Sequence, residues 1–308
     1  MLTDTGKIEE MATRMAEQDV RGRSPWADAR RRFLRNKAAM TALVVLVLVA
    51  LFAAFGAQFT SFNNEDIDFM VIGQVAELGY PSLASGHYFG TDDLGRDLYA
   101  RTVQGTQISL MVGILGAGVA VVVGTLYGAI SGYVGGALDN FMMRIVDVLM
   151  AIPYMFVLII MLTAFGRSIS LLFIGIGLLS WLDMSRIVRG QTLSLKHKEF
   201  IEAARASGVS SAKIILRHIV PNLLGVVVVY ATLLIPSMIM AESFISFLGL
   251  GVQEPDTSWG ALISEGARTM KFGTLWQLAF PLFFFVVTIF AFYFVGDGLR
   301  DALDPKDR

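Results

Sequence analysis

Uninterrupted apolar runs of about 20 residues, the length a helix needs to cross the hydrocarbon core, recur six times along the chain. They lie at approximately 38–59, 108–132, 145–165, 169–188, 223–243 and 275–295. This pattern predicts an all-α polytopic membrane protein of about six transmembrane helices. The fourth run carries Asp183 and Arg186 in its last turns, so Trp181 reads there as an interfacial anchor with the charged turns emerging into water. Polar chain fills the gaps: a segment 1–37, a long loop 60–107 after the first span, and a tail 299–308. The stretch 108–298 reads as a core of five helices, and within it lies a second polar loop, 190–221. Gly124, Gly128, Gly132 and Gly136 recur every four residues, which strips one side of a helix and predicts close approach by a neighbour. Pro153, Pro236 and Pro281 fall inside the third, fifth and sixth runs. Each removes an internal hydrogen bond and can kink its helix.

Composition agrees with the spans. Hydrophobic residues make up 55% of the 308 and charged residues 17%, against roughly 45–50% and 25% in soluble domains. A net charge of −1 gives no basic field for nucleic acid. The chain has no cysteine, which excludes disulfides, thiolate metal sites and a cysteine nucleophile. Its three histidines, His87, His197 and His218, stand far apart in sequence, which argues against a metal centre. The first apolar run is too long for a signal-peptide core and is followed by no small-residue cleavage site, so it should remain as an anchor.

Local charge sets the orientation. Arg21, Arg23, Arg30, Arg31, Arg32, Arg35 and Lys37 precede the first span, and Lys196, Lys198, Arg205, Lys213 and Arg217 lie between the fourth and fifth. Arg300, Lys306 and Arg308 follow the last, whereas the loop after span one is mostly acidic. By the positive-inside rule both termini and the 190–221 loop are cytosolic, as an even number of crossings requires. Ser24-Pro25 reads as an N-cap and first helical position. The basic helix that follows, 26–37, is suited to contact with anionic membrane lipid. Arg144 and Asp147, three apart on a helix, are expected to pair with each other.

The 190–221 loop carries the most specific pattern. Glu202-Ala203-Ala204-Arg205-Ala206-Ser207-Gly208 reads as a short helix stopped at Gly208, followed by a turn through Val209-Ser210-Ser211. A second helix then runs from Ala212 to a limit at Pro221. Ala203 and Ala204 offer a small flat apolar patch in a charged loop, suited to insertion into a partner's cleft, and Glu202 can accept hydrogen bonds from that partner. This arrangement resembles the Glu-Ala-Ala motif of the permease subunits of bacterial ABC importers. His218-Ile219-Val220-Pro221-Asn222, with histidine where isoleucine is usual, resembles the peptide and nickel branch.

Further blocks resemble the same branch, in order along nearly the whole chain. They are Ala29-Arg30-Arg31-Arg32-Phe33, Gly90-Thr91-Asp92-Asp93-Leu94-Gly95-Arg96-Asp97 and Trp181-Leu182-Asp183-Met184. After these come Glu242-Ser243-Phe244-Ile245-Ser246-Phe247 with Ser258-Trp259-Gly260, and Gly296-Asp297-Gly298-Leu299-Arg300-Asp301. Within the branch the likeness is to the C-type permease subunits of oligopeptide importers. It implies a type I importer permease fold in a bacterial inner membrane, with Glu202, Ala203, Ala204, Arg205, Gly208 and Pro221 docking an ATPase. It also implies a heterodimer with a sister permease, two ATPase subunits that bind the ATP, and an external peptide-binding protein. No cofactor is expected in this chain, and no phosphate-binding Gly-x4-Gly-Lys-Ser/Thr loop occurs in it.

Two readings stand for Asp92, Arg96 and Asp97: a self-contained turn held by local bonds, or contact with the binding protein. Glu242, with Ser243 and Ser246, reads either as a helix end near the outer interface or as a gate on the transport path. A lone secondary carrier is disfavoured, because the spans lack the several mid-membrane charges that ion coupling uses. An intramembrane hydrolase lacks a nucleophile and base in adjacent spans. Dipeptide, murein-peptide and nickel substrates compete with oligopeptides.

Overall fold

The computed structural model describes residues 25–303. Ser24, Arg21, Arg23, Lys306 and Arg308, used above, lie outside the described residues. Helix α1, Pro25–Arg35, stops at Asn36, whose extended backbone redirects the chain and whose Oδ1 accepts the Ala39 N–H at 3.1 Å. That bond caps α2, Lys37–Phe55, the first span. The long loop that follows contains one short helix, α3, Val75–Leu78. Helix α4, Leu98–Val119, continues through a π-helical turn at Ala120–Gly124 into α5, Thr125–Val134, as a single span.

This span starts at Leu98, not at 108, so the outer loop is shorter than the polarity of the sequence implies. Arg101, Thr102 and Thr106 interrupt the apolar run yet are buried against protein, and Asp97 caps the helix by accepting the Ala100 N–H at 2.7 Å. The third run is not one kinked helix. It forms α6, Gly136–Met150, and α7, Tyr154–Phe165, bent by 71° across the break between them. Pro153 lies just before α7, lacks an N–H to give, and disfavours helical backbone in the residue before it. Pro236 and Pro281, by contrast, leave their helices continuous.

Helix α8, Ile169–Leu195, runs past its expected end at 188. Trp181 lies mid-helix, with its ring 4.8 Å from that of Tyr127. Asp183 and Arg186 follow within the same helix, and both are exposed. Arg186 Nη2 donates to Asp147 Oδ1 at 2.5 Å, so Asp147 pairs across to α8 and not with Arg144 on its own helix. A cross-helix partner wins here because α6 packs alongside α8.

After α9, Glu199–Ala206, and α10, Ser211–Ile214, a π-helical turn at Ile215–Ile219 leads into α11, Val220–Phe247. Pro221 does not end a helix as expected. The span Ser211–Phe247 is continuous, and the wider π turn precedes the proline, whose ring needs room over the turn behind it. Asn222 Nδ2 donates to the His218 carbonyl at 2.6 Å. The chain closes with α12, Trp259–Thr269, and α13, Trp276–Leu303.

Contacts fix the topology. Tyr99 Oη donates to the Gly56 carbonyl at 3.1 Å, so the end of α2 meets the start of α4. Lys196 Nζ donates to the Gly132 carbonyl at 3.0 Å, placing the ends of α5 and α8 together. Arg167 Nη1 donates to the Gly249 carbonyl at 3.1 Å, so the α7–α8 turn and the end of α11 share the opposite end. Gly298 packs on Ala39 and Asn36, which brings the end of α13 beside the start of α2. With the bent pair counted as one crossing, the described chain crosses six times and begins and ends on the side that carries α9. Val44, Leu48, Ile114, Phe156 and Phe283 are among the exposed apolar side chains on these spans, the surface that lipid covers.

The glycine stripe sits at the α5–α8 crossing. A Cβ on Gly128 would lie 2.3 Å from the Ser185 carbonyl oxygen, and one on Gly124 or Gly132 would strike Met184 or Thr192. Gly136 takes no part; it faces open space beyond the turn at Gly135. Gly128→Leu is therefore expected to force α5 and α8 apart and cost about 1–3 kcal/mol or more, read as a lower thermal midpoint in detergent. Gly118→Ala, at a helical site with nothing within 4 Å, should leave that midpoint unchanged.

Candidate functional site

Two polar assemblies stand out, one at each end of the bundle. At the end where the described chain starts and finishes, α9 is held chiefly by one buried side chain. Ile201 is fully buried against Ile214, Ile215, Ile219, Val188 and Tyr133. Ala204, one turn on, is half-buried in the same cluster, and Arg205 lays its guanidinium 5.5 Å from the Tyr133 ring centroid.

With that face committed, the rest of α9 points out. Glu202 and Ala203 are exposed, as are Ser207 and Gly208. The Ala203-Ala204 patch expected from sequence is thus only half available. Phe200, 43% exposed, supplies the large apolar side chain of this face and was not singled out by the sequence pattern. Its signal was a lone aromatic in a charged loop. Gly208 adopts φ +74°, a left-handed conformation that ends α9, and its N–H donates to the Arg205 carbonyl at 3.0 Å. Pro221 is exposed but lies on α11, beyond the π turn and off the α9 surface.

At the opposite end, Asp92 organises a buried ionic network. Its Oδ1 accepts the Leu94 and Arg96 N–H groups, both at 2.9 Å, which is the local turn expected from sequence. Its Oδ2 accepts from Arg96 Nε at 2.7 Å and from Arg101 Nη1 at 2.5 Å. Arg96 Nη2 then reaches Glu254 at 2.8 Å, and Arg101 Nη1 reaches Glu265 at 2.7 Å. The turn is therefore not self-contained. It joins the outer loop, α4, the loop after α11 and α12, using Arg101, Glu254 and Glu265, which sequence spacing did not connect.

Burial works against the Arg96 charge, but the bonds from Glu254 and Asp92 outweigh it and hold the guanidinium above its ordinary value. Asp97 is fully buried, and burial pushes its carboxyl up against the opposing effect of His87, whose Nδ1 lies 2.8 Å from Asp97 Oδ2. The His87 ring stacks on Phe62 at 4.2 Å. Asp92, Arg96 and Asp97 are all inside the chain, whereas their neighbours Asp93 and Leu94 are exposed.

Just beneath this network lies Glu242. It is fully buried, not a solvated helix end. Ser246 Oγ donates to its Oε1 at 2.6 Å, and Ser109 and Ser243 donate to its Oε2 at 3.0 and 3.2 Å. Ser246 Oγ in turn accepts the Val252 N–H at 3.1 Å, and Ser109 Oγ accepts the Trp259 N–H at 3.2 Å. One carboxylate thus ties α4 and α11 to the loop that starts α12. Gly260 lets α12 seat directly on the Ser243 backbone, where a Cβ would come within 2.2 Å of the carbonyl oxygen.

This geometry can now be set beside known proteins. Residues 124–308 match the model for the binding-protein-dependent transport system inner membrane component. The chain belongs to that family. Residues 24–74 also match the N-terminal transmembrane domain of oligopeptide transport permease C. The oligopeptide transport system permease protein OppC of Escherichia coli K12 is 59% identical over 290 residues, covering 94% of each chain. That of Haemophilus influenzae is 53% identical over 301 residues, 98% of this chain and 95% of the relative. The dipeptide transport system permease protein DppC of Bacillus subtilis is 41% identical over 281 residues, 91% of this chain and 86% of the relative.

As a member of the binding-protein-dependent permease family, the protein is a multi-pass inner-membrane permease chain of an ABC importer. The family match contains α9 and Glu242, while the Asp92, Arg96 and Arg101 network falls between the two matched segments. Arg101 is only 1% exposed, so Arg101→Met leaves Asp92 and Glu265 without their shared cation. The expected cost is about 3–5 kcal/mol, read as a fall in the thermal midpoint of the purified membrane protein, with Arg101→Lys falling less.

Proposed function

We propose that this chain is the C-type permease subunit of an importer that carries oligopeptides across the bacterial inner membrane, driven by separate ATPase subunits. The single observation that carries the coupling part is the presentation of α9. It is anchored on one side by Ile201, while Phe200, Glu202 and Ala203 face outward on the other. On this reading Phe200 and Ala203 enter an ATPase groove, Glu202 accepts hydrogen bonds there, and Arg205 and Gly208 set the angle of the helix. Closure of two ATP-bound subunits moves α9, and the rigid Ser211–Phe247 span carries that movement toward the outer end. The basic residues around α9 and before α2 support a cytosolic position for this side.

A sister permease completes the path as a heterodimer, and an external binding protein delivers peptide to the opposite end. The Asp92, Arg96 and Asp97 turn shapes the outer loop for that protein, with Asp93 and Leu94 at its surface. Glu242, with Ser243 and Ser246, holds α4, α11 and the start of α12 as one block, which acts as the outer gate.

Replacing Gly208 by valine, at φ +74°, should misdirect α9 so that ATP hydrolysis by the assembled complex continues while uptake falls at least tenfold, about 1.4 kcal/mol of coupling. Uptake that persists with residues 199–208 scrambled would sink the docking role. Oligopeptides are favoured because the relatives at 53–59% identity carry that name. Near 40% the name no longer discriminates, since dipeptide and oligopeptide permeases of Bacillus subtilis stand at 41% and 40%. Cells lacking this gene should lose uptake of labelled tri- to pentapeptides. Lost dipeptide uptake alone would transfer the assignment to that class.

A further inference from the structure

Three observations converge on one place in the bundle. The first is Asp183. It lies about 21 Å from one end of α8 and about 18 Å from the other at 1.5 Å per residue, well inside a helix long and apolar enough to cross the membrane. Its side chain is exposed and makes no hydrogen bond or ion pair among the described residues. The nearest cation along the helix, Arg186, is committed to Asp147. A bare carboxylate on a spanning helix is costly against lipid, so it is expected to face water or a partner.

The second is the break between α6 and α7. Non-helical backbone at membrane depth is tolerated only where protein covers it or where it lines a watery cavity. Residues 151–153 are exposed. The third is that both features border the same cavity, of about 300 Å³, lined by Pro153, Tyr154, Ser180, Asp183, Ser237 and Met238.

We propose that this cavity lies on the transport path and that Asp183 receives the N-terminal ammonium of the peptide in transit. The assignment rests on the peptide reading above. A permease that accepts many side chains needs a contact common to all of its cargo, and the ammonium is such a group. The carboxylate complements it in charge, and apart from Ser180 and Ser237 the rest of the lining is mainly apolar, with Ile176, Leu179 and Leu234 among it, which leaves varied peptide side chains without a specific partner. No other described side chain on this cavity wall carries a charge.

The chain has no cysteine, so Asp183→Cys introduces its only thiol. In the assembled complex turning over ATP, the thiolate of this variant should exchange with a tripeptide whose N-terminal cysteine is supplied as its 2-thiopyridyl disulfide, joining protein and peptide by a disulfide and releasing 2-thiopyridone. Phe156→Cys, on the exposed apolar surface, should not. Asp183→Asn should lower uptake of an ordinary tripeptide by about tenfold, the order expected for losing one hydrogen bond to a charged group. Asp183→Glu should restore most of that loss. In both variants the sister permease and ATPase subunits should co-purify as with the unmodified chain.

Uptake within twofold of normal for Asp183→Asn, or absence of the disulfide, overturns the assignment. Loss of co-purification overturns it too, by making Asp183 part of the contact with the sister chain. If the unmodified complex itself fails to import the tripeptide, the peptide reading falls and this assignment falls with it.

Discussion

Hydrocarbon offers a polypeptide no hydrogen-bond partners, and that single constraint governs most of this structure. It makes each crossing a helix and leaves apolar side chains on the outside as well as the inside. It also decides where exceptions are tolerated. Arg101 is nearly fully buried but sits inside a closed ionic network. Glu242 is fully buried but ringed by three serine hydroxyls. Each internal charge of this kind has partners on a neighbouring helix, so each also acts as a clamp.

The two ends of the bundle use these clamps differently. At the outer end, Asp92 and Glu242 gather α4, the end of α11 and α12 into one unit, with ions above and hydroxyls below. Breaking one partner there exposes others, because Arg101 serves Asp92 and Glu265 together. At the opposite end the polar content is spread over a surface, and α9 is fastened chiefly by Ile201 and the stacking of Arg205 on Tyr133. A helix held on one face by an apolar anchor can transmit force while leaving its other face free for a partner. That contrast, a locked outer block and a presented inner helix, suits a bundle worked from one end.

Between them lies the crossing of α5 and α8, where missing side chains let backbones touch. The close fit at Gly128 leaves no slack, so α5 and α8 must move together. Asp139, on α6, joins this junction by accepting from Ser131 on α5 and through paired bonds from Arg189 on α8, 2.6 and 2.7 Å long. The neighbouring α6–α7 segment has no such continuity, since its helix is interrupted before Pro153. A rigid pair beside a broken span places the adaptable element next to the cavity and the stiff elements behind it.

How much of this was legible without coordinates follows from the range of each interaction. The six apolar runs, the four-residue glycine spacing (of which Gly136 proved to take no part), the Gly208 stop and the local Asp92 turn depend on neighbours within a helical turn or two. Those the sequence by itself determined. It could not place the start of α4 or the end of α8, because polar residues such as Thr102 and Arg189 look like loop until one knows what faces them. It paired Asp147 with the nearest cation in sequence, whereas the nearest in space is Arg186, on another helix. It left Glu242 between a helix end near the outer interface and a gate, because depth along a chain is not burial. Tertiary structure alone decided these points, since whether a polar group is stable inside a membrane depends on partners that lie far away in sequence.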